Sequence, residues 1–188
     1  GVPMAGRTDR WIIRELAGRH GVEVDDQAIT HICRRYLQHL SREVHATGPT
    51  KGVLPGVTPL LDALSSRDDV HLALLTGNVE AGARIKLEHF DLWRYFDGGG
   101  FGDAAEERTA LFADALRSAT ARAGSAFQAE QVTVVGDTPL DVAVATACGA
   151  RSLGVATGSF DEQALREAGA DAVLPDLSDL DAALEALG

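Results

Sequence analysis

Apolar positions along the chain follow two different patterns. In the first quarter they recur at three- and four-residue steps, at Ile12, Ile13 and Leu16 and then at Ile29, Ile32, Cys33, Tyr36, Leu37, Leu40 and Val44. Residues three or four apart share one face of a helix, so this spacing predicts two amphipathic helices. Thr8 or Asp9 suits the start of the first and Asp26 that of the second, because each carries an oxygen that can accept from first-turn amides. A turn at Gly21 joins them. The stretch Thr47-Gly48-Pro49-Thr50-Lys51-Gly52 then breaks the pattern and predicts a linker.

Beyond residue 52 short apolar runs alternate with helical patterns. Pro55-Gly56 opens a helix carrying Val57, Leu60, Leu61 and Leu64. Buried strands are predicted at 70–75, 132–135, 152–156 and 172–174, with helices at 80–89, 106–122, through Val142 and Ala145, and at 162–168 and 177–187. The glycine run at 98–102 predicts a flexible loop at a site mouth or a plain connector. Strands alternating with helices imply right-handed crossovers and a mostly parallel sheet covered on both faces. The expected organisation is a helical module over 1–52 and an α/β core over 53–188. In such sheets ligands bind beyond the carboxyl ends of the strands, so chemistry is sought in the residues directly after them.

With 188 residues, 45% of them hydrophobic and 24% charged, the chain can bury a sizeable core. No apolar run approaches the ~20 residues that span a bilayer. The formal net charge of -11 argues against nucleic acid and anionic membranes as partners. It leaves open a small anionic substrate, since a bound divalent cation reverses the local sign. Cys33 and Cys148 lie in apolar helical patterns and read as small buried hydrophobes, with no zinc spacing or disulfide framework. A reducing cytoplasm is the expected location.

Two strand ends carry chemistry. In Leu74-Leu75-Thr76-Gly77-Asn78 a hydroxyl is followed by backbone amides that a glycine leaves accessible, a cradle for a phosphate oxygen as a helix begins. The same triplet also suits an ordinary capped turn. In Val134-Val135-Gly136-Asp137-Thr138-Pro139-Leu140-Asp141 a buried strand delivers one carboxylate to its end and a second follows four residues on. Two acids held together repel unless a cation compensates. Magnesium suits such oxygen-rich sites, taking one or two carboxylates and leaving other positions to water and phosphate. The plainer alternative is that Asp137 caps a helix while Asp141 faces solvent.

The run from Val134 to Val142, continuing to Ala147-Cys148-Gly149-Ala150, resembles the fourth motif of the haloacid dehalogenase superfamily. Leu74 to Asn78 resembles its second, and Leu54-Pro55-Gly56-Val57 is similar to the return from a helical cap into the core. The phosphoglycolate-phosphatase-like hydrolases are the subgroup it most resembles, with residues 1–52 similar to their cap. The resemblance implies a Rossmann-like core and a magnesium-dependent, two-step hydrolysis of a small phosphorylated metabolite, in which an aspartate attacks phosphorus and water releases phosphate. By position it makes Thr76 a hydrogen-bond donor to the phosphoryl group, with Gly77 and Asn78 beside it. Asp137 becomes a magnesium ligand, and Asp141 supports either the metal or the basic third-motif residue. That residue is usually a lysine before a helix. Arg108 is the best-placed candidate here, because its guanidinium can neutralise phosphate charge. Lys86 is expected to face solvent. Arg7, near the start of the cap-like region, could meet a substrate carboxylate or phosphate.

One departure matters. The family's first motif, Asp-x-Asp-Gly-Thr at the end of a first strand, is absent, and Gly1 to Asp9 resembles the cap segment that follows it. The 188 residues therefore lack the nucleophile, the general acid/base and one metal ligand, and are expected to be inactive by themselves. The absent strand belongs between the strands ending at Thr76 and Asp137. Without it those two stand about 9–10 Å apart, twice the normal spacing, with unpaired backbone on both. A fragment or a displaced start of a complete enzyme is the expected explanation. Alternatives are a binding module that kept the scaffold without the nucleophile, a haloacid dehalogenase, which needs no metal, and a phosphoacceptor signalling domain, which would need an acidic pair after its first strand and leaves the helical cap unexplained.

Overall fold

The computed structural model describes residues 2, 4–48, 51–103 and 105–188, so part of the expected linker, Pro49 and Thr50, lies outside the described residues. In chain order the elements are α1 (Asp9–Arg19), α2 (Asp26–Glu43), α3 (Val57–Ser65), β1 (Leu74–Thr76), α4 (Glu80–His89), β2 (Gly99–Phe101) and α5 (Arg108–Ala123). They continue as β3 (Thr133–Gly136), α6 (Pro139–Cys148), β4 (Arg151–Val155), α7 (Glu162–Glu167), β5 (Ala172–Leu174) and α8 (Leu180–Leu187).

The helical pair forms where the periodicity places it. Thr8 caps α1, its Oγ1 accepting from the Trp11 amide at 3.2 Å. Asp25, not Asp26, caps α2, accepting from the Ala28 amide at 2.7 Å. Asp26 instead receives Arg10 and Arg14 at 2.6 and 2.7 Å, which ties α1 to α2. α2 lies against α4 where Gly82 faces Tyr36 and Leu37. Lys51 is less free than a linker residue. Its ammonium donates to the carbonyls of Glu43 and Ala46 at 3.0 and 2.7 Å, and to that of Val44, satisfying acceptors left over at the end of α2.

The strands form two parallel sheets. β1 pairs with β2, Leu74 opposite Gly99 and Thr76 opposite Phe101. The other sheet has the order β3-β4-β5, with Val134 opposite Ser152 and Leu153 opposite Ala172. α5 and α6 hold the sheets together: Phe112, Val134, Val144 and Ala145 are buried as one cluster, and Leu75 of β1 packs onto it. A second cluster joins Leu60 and Leu64 of α3 to Ala183 of α8, with Leu72 and Leu174 packed against it.

Two strand expectations are corrected. The run at 70–75 yields a strand only at Leu74–Thr76, the residues that face β2 in the ladder. The glycine run at 98–102, expected to be a loop, contains β2. A Cβ on Gly100 would stand 1.8 Å from the Leu111 carbonyl oxygen, and one on Gly99 2.3 Å from that of Leu74. α5 and β1 thus approach bare backbone there, and a strand chosen for lack of side chains shows no period-2 pattern.

No ladder joins β1 to β3 among the described residues. The consequence shows at Val135. Its neighbour Val134 is buried under α5 and α6, whereas Val135, on the opposite face of a core strand, is 44% exposed. Val135 thereby borders a lane that no described strand fills.

Candidate active site

On the β3 side the site is built locally. Thr138 is the N-cap of α6, Pro139 fits its first turn, and Asp141 is the third helical residue. The Asp141 amide donates to Thr138 Oγ1 at 3.3 Å, while Asp141 Oδ2 accepts from the Thr138 amide at 3.0 Å and from its hydroxyl at 2.7 Å. This reciprocal pair satisfies amides that a helix start leaves free. The other Asp141 oxygen receives Arg108, the first residue of α5. Arg108 also donates to the Gly6 carbonyl at 3.0 Å, and its Nε is buried with no partner. The two side chains are 13% and 12% exposed, so this is a largely desolvated ion pair.

Asp137 is not the cap. It follows β3 directly, and although the residue as a whole is exposed, its carboxyl is tucked against Gly158, where a Cβ would lie 2.0 Å from Oδ2. Burial pushes this carboxyl above its ordinary range, the charge of Asp141 adds to the rise, and Arg108 works against it.

On the β1 side the site is assembled from distant segments. Thr76 ends β1, and its Oγ1 accepts from the Asn78 amide at 3.2 Å. Val79, the N-cap of α4, supplies no side-chain cap. Carboxylates from elsewhere serve instead: Asp9 accepts from the Val79 amide at 2.9 Å and Asp103 from the Glu80 amide at 2.5 Å. Burial raises the Asp9 carboxyl, while the Val79 amide and Lys86 oppose the rise. Gly77 is buried beneath the Arg7–Thr8 peptide, with a Cβ only 2.2 Å from the Arg7 carbonyl oxygen. The glycine therefore admits the N-terminal segment as closely as backbone allows. Lys86 does not simply face solvent: it donates to Asn78 Oδ1 at 2.6 Å. The Arg7 guanidinium lies 4.6 Å over the Trp11 ring.

Residues 6–9 connect the two sides. Asp9 donates its amide to the Gly77 carbonyl at 2.8 Å, and two residues before Thr8 the Gly6 carbonyl accepts from Arg108. The structure thus brings Thr76, Gly77, Asn78, Arg108, Asp137 and Asp141 to one edge, with Arg7 on the segment that crosses it. Sequence reading missed the contributions of Asp9, Asp103 and Lys86. No sequence signal marked them, because Asn78 itself suits a cap at the start of α4. Among the described residues no three His, Cys, Asp or Glu side chains converge as a metal cluster. Asp141 is committed to Arg108 and Thr138, which leaves Asp137 as the carboxylate here that fits a magnesium ion.

The family model of haloacid dehalogenase-like hydrolases matches residues 6–146. A phosphoglycolate phosphatase of Rhodospirillum rubrum is 32% identical over 160 residues, covering 84% of this chain and 62% of that protein. The chain therefore spans less than two thirds of that relative's length. The crystal structure of a hydrolase from Pseudomonas syringae superposes with a TM-score of 0.73 at 23% identity, covering 96% of this chain and 78% of that one. A predicted phosphoglycolate phosphatase from Haemophilus somnus gives 0.66 at 17% identity, covering 93% and 75%. At these identities the likeness is one of fold, a Rossmann-like α/β arrangement. Both strand ends described above fall inside the matched region, and the chain belongs to the haloacid dehalogenase-like hydrolase family.

Proposed function

We propose that this chain is the greater part of a magnesium-dependent hydrolase of small phosphomonoesters, and that its catalytic carboxylates come from a strand that fills the lane between β1 and β3. The observation that carries the reading is the division of labour between the two acids after β3. Asp141 holds Arg108 in place, whereas Asp137 stands beside it with a raised carboxyl and no ion pair of its own among the described residues. A divalent ion at Asp137 would relieve that raised state. Magnesium keeps several water and phosphate oxygens, so one carboxylate here and one from the added strand make a reasonable set. When bound, it supplies neutralisation of phosphate charge.

The chain's own residues then divide the remaining work. Thr76 donates to a phosphoryl oxygen from the end of β1. Arg108, held by Asp141 and the Gly6 carbonyl, would bring its charge to the same anion. The nucleophile of the added strand would attack phosphorus, expel the alcohol and form an aspartyl phosphate that water hydrolyses. Arg7, which lies over the Trp11 ring, would meet the non-reacting end of the substrate. Residues 1–52 act as a cap over a core formed by 53–188. A small phosphorylated metabolite in the cytoplasm is the substrate class and setting. The relative's name, phosphoglycolate phosphatase, makes phosphoglycolate the first ester to try.

The test is hydrolysis of a panel of phosphate esters by the chain extended into its natural upstream reading frame, with and without magnesium. Turnover that requires magnesium and falls by about 10²–10³ in Arg108→Ala supports the reading. A folded extended protein with no turnover on any ester overturns it and favours a non-catalytic binding module. Turnover of haloacids without metal favours the dehalogenase.

A further inference from the structure

The chain has two lysines, and each is committed. Lys51 serves the carbonyls at the end of α2. Lys86 is placed less comfortably. It sits in α4, and long helical side chains lean toward the N-terminus of their helix. Its ammonium accordingly ends at Asn78, two residues ahead of α4, 2.6 Å from Oδ1. A cation near the free amides of a helix start is electrostatically disfavoured. Asp9 offsets this in part: burial raises its carboxyl, but that carboxyl takes the Val79 amide, and Lys86 opposes the rise. An arrangement that places a half-buried lysine against the helix dipole needs some purpose beyond stability.

The chemistry of the pair supplies one. A lysine has three donors and no acceptor, so it must meet the oxygen of the asparagine amide. The NH2 group is then turned away from Lys86. The rest of Asn78 is equally fixed: its backbone amide donates to Thr76 Oγ1 at 3.2 Å, and its carbonyl accepts from the Gly102 amide at 2.9 Å. Backbone nitrogen, backbone oxygen and Oδ1 are thus all held, while Nδ2 makes no hydrogen bond within the described structure.

We propose that Lys86 is a positioning residue, which locks the Asn78 amide with its NH2 outward, beside Thr76, as a donor to a tetrahedral oxyanion such as phosphate. This rests on the phosphomonoester reading. The β1 side then recognises the anion with neutral donors held from behind by a charge, whereas the β3 side brings a charge, Arg108, to the anion itself.

The experiment uses the chain with its natural upstream sequence and reads three quantities: KM and kcat for a phosphomonoester, the inhibition constant of inorganic phosphate, and the melting temperature. Lys86→Met is expected to raise KM and the phosphate inhibition constant by roughly tenfold or more, with a smaller change in kcat. Asn78→Asp forms an ion pair with Lys86, so it keeps the melting temperature yet loses phosphate inhibition. If Lys86→Met fails to fold, this variant decides alone. In an Asn78→Ala background, Lys86→Met adds nothing to either constant. A full additional effect there would put Lys86 on the ligand directly and overturn the positioning role. Unchanged constants in Lys86→Met and Asn78→Asp would overturn it too, and in both cases the phosphatase reading stands. A wild-type protein showing neither turnover nor phosphate binding removes both.

Discussion

The two strand ends that face the open lane are held in place in opposite ways. After β3, the turn, the cap and the second carboxylate all come from six consecutive residues, with Arg108 as a distant ion-pair partner. After β1, the turn is local, but the helix behind it is capped by Asp9, seventy positions away in sequence, and by Asp103. The β3 side is a self-contained unit that would survive rearrangement of its surroundings. The β1 side is a junction, and its geometry depends on the N-terminal segment staying where it is.

The largest effect should come from breaking the self-contained unit. Asp141→Ala leaves the Arg108 guanidinium desolvated and unpaired, and removes the acceptor for the Thr138 amide and hydroxyl. Losing one partner of a buried ion pair costs about 3–5 kcal/mol. Urea unfolding should register that loss. Replacing both charges together, Arg108→Met with Asp141→Leu, should recover part of it, because the main penalty is an uncompensated charge. Equal losses in the single and double variants would mean that the Thr138 bonds, and not the ion pair, hold this side.

This contrast also decides what could be read from the sequence. The β3 unit was legible because its chemistry lies within one turn of chain: Asp137, Thr138, Pro139 and Asp141 carry their spacing with them. Arg108 was legible as the first cation of the next helix upstream. β2 was not, because glycines that admit a helix against bare backbone carry no alternation. The caps of α4 were hidden for a different reason. Asp9 reads as a good start for α1, and nothing at its own position says that its carboxyl reaches across to Val79. Asp26 misled by one residue, since adjacent aspartates both suit a cap and tertiary ion pairs with Arg10 and Arg14 claimed the second. The split sheet was foreseen from a motif that the residues do not contain, and Val135 shows its physical cost.

A smaller effect should come from disturbing the junction. In Gly77→Ala the new methyl would stand 2.2 Å from the Arg7 carbonyl oxygen, a backbone atom that cannot swing aside. Forcing a methyl into such a contact costs about 1–3 kcal/mol. The more telling readout is hydrogen exchange. The amides of Asp9 and Val79 should exchange faster while that of Asp141 keeps its protection, because the Asp141 amide is held by Thr138 within its own turn. Equal loosening at all three amides would show the edge to be one cooperative unit and dissolve the comparison.

The smallest effect concerns Asp137, and its sign is informative. Its folded carboxyl lies above the ordinary value of 3.8, raised first by burial and then by Asp141. The folded state therefore holds its proton to higher pH than the unfolded chain does. The stability linked to this group is fully present below that ordinary value and is lost as pH rises through the raised one. At neutral pH the ionised carboxylate is a liability. Asp137→Asn should consequently unfold at slightly higher denaturant than wild type near neutrality, by less than about 1 kcal/mol because solvent reaches the group. The difference should vanish in acid. Added magnesium should narrow it from the wild-type side, by favouring the charged form. A destabilised Asp137→Asn at neutral pH would mean that Asp137 makes a favourable contact in the bare chain, and the asymmetry between a committed acid and a waiting one would have to be given up.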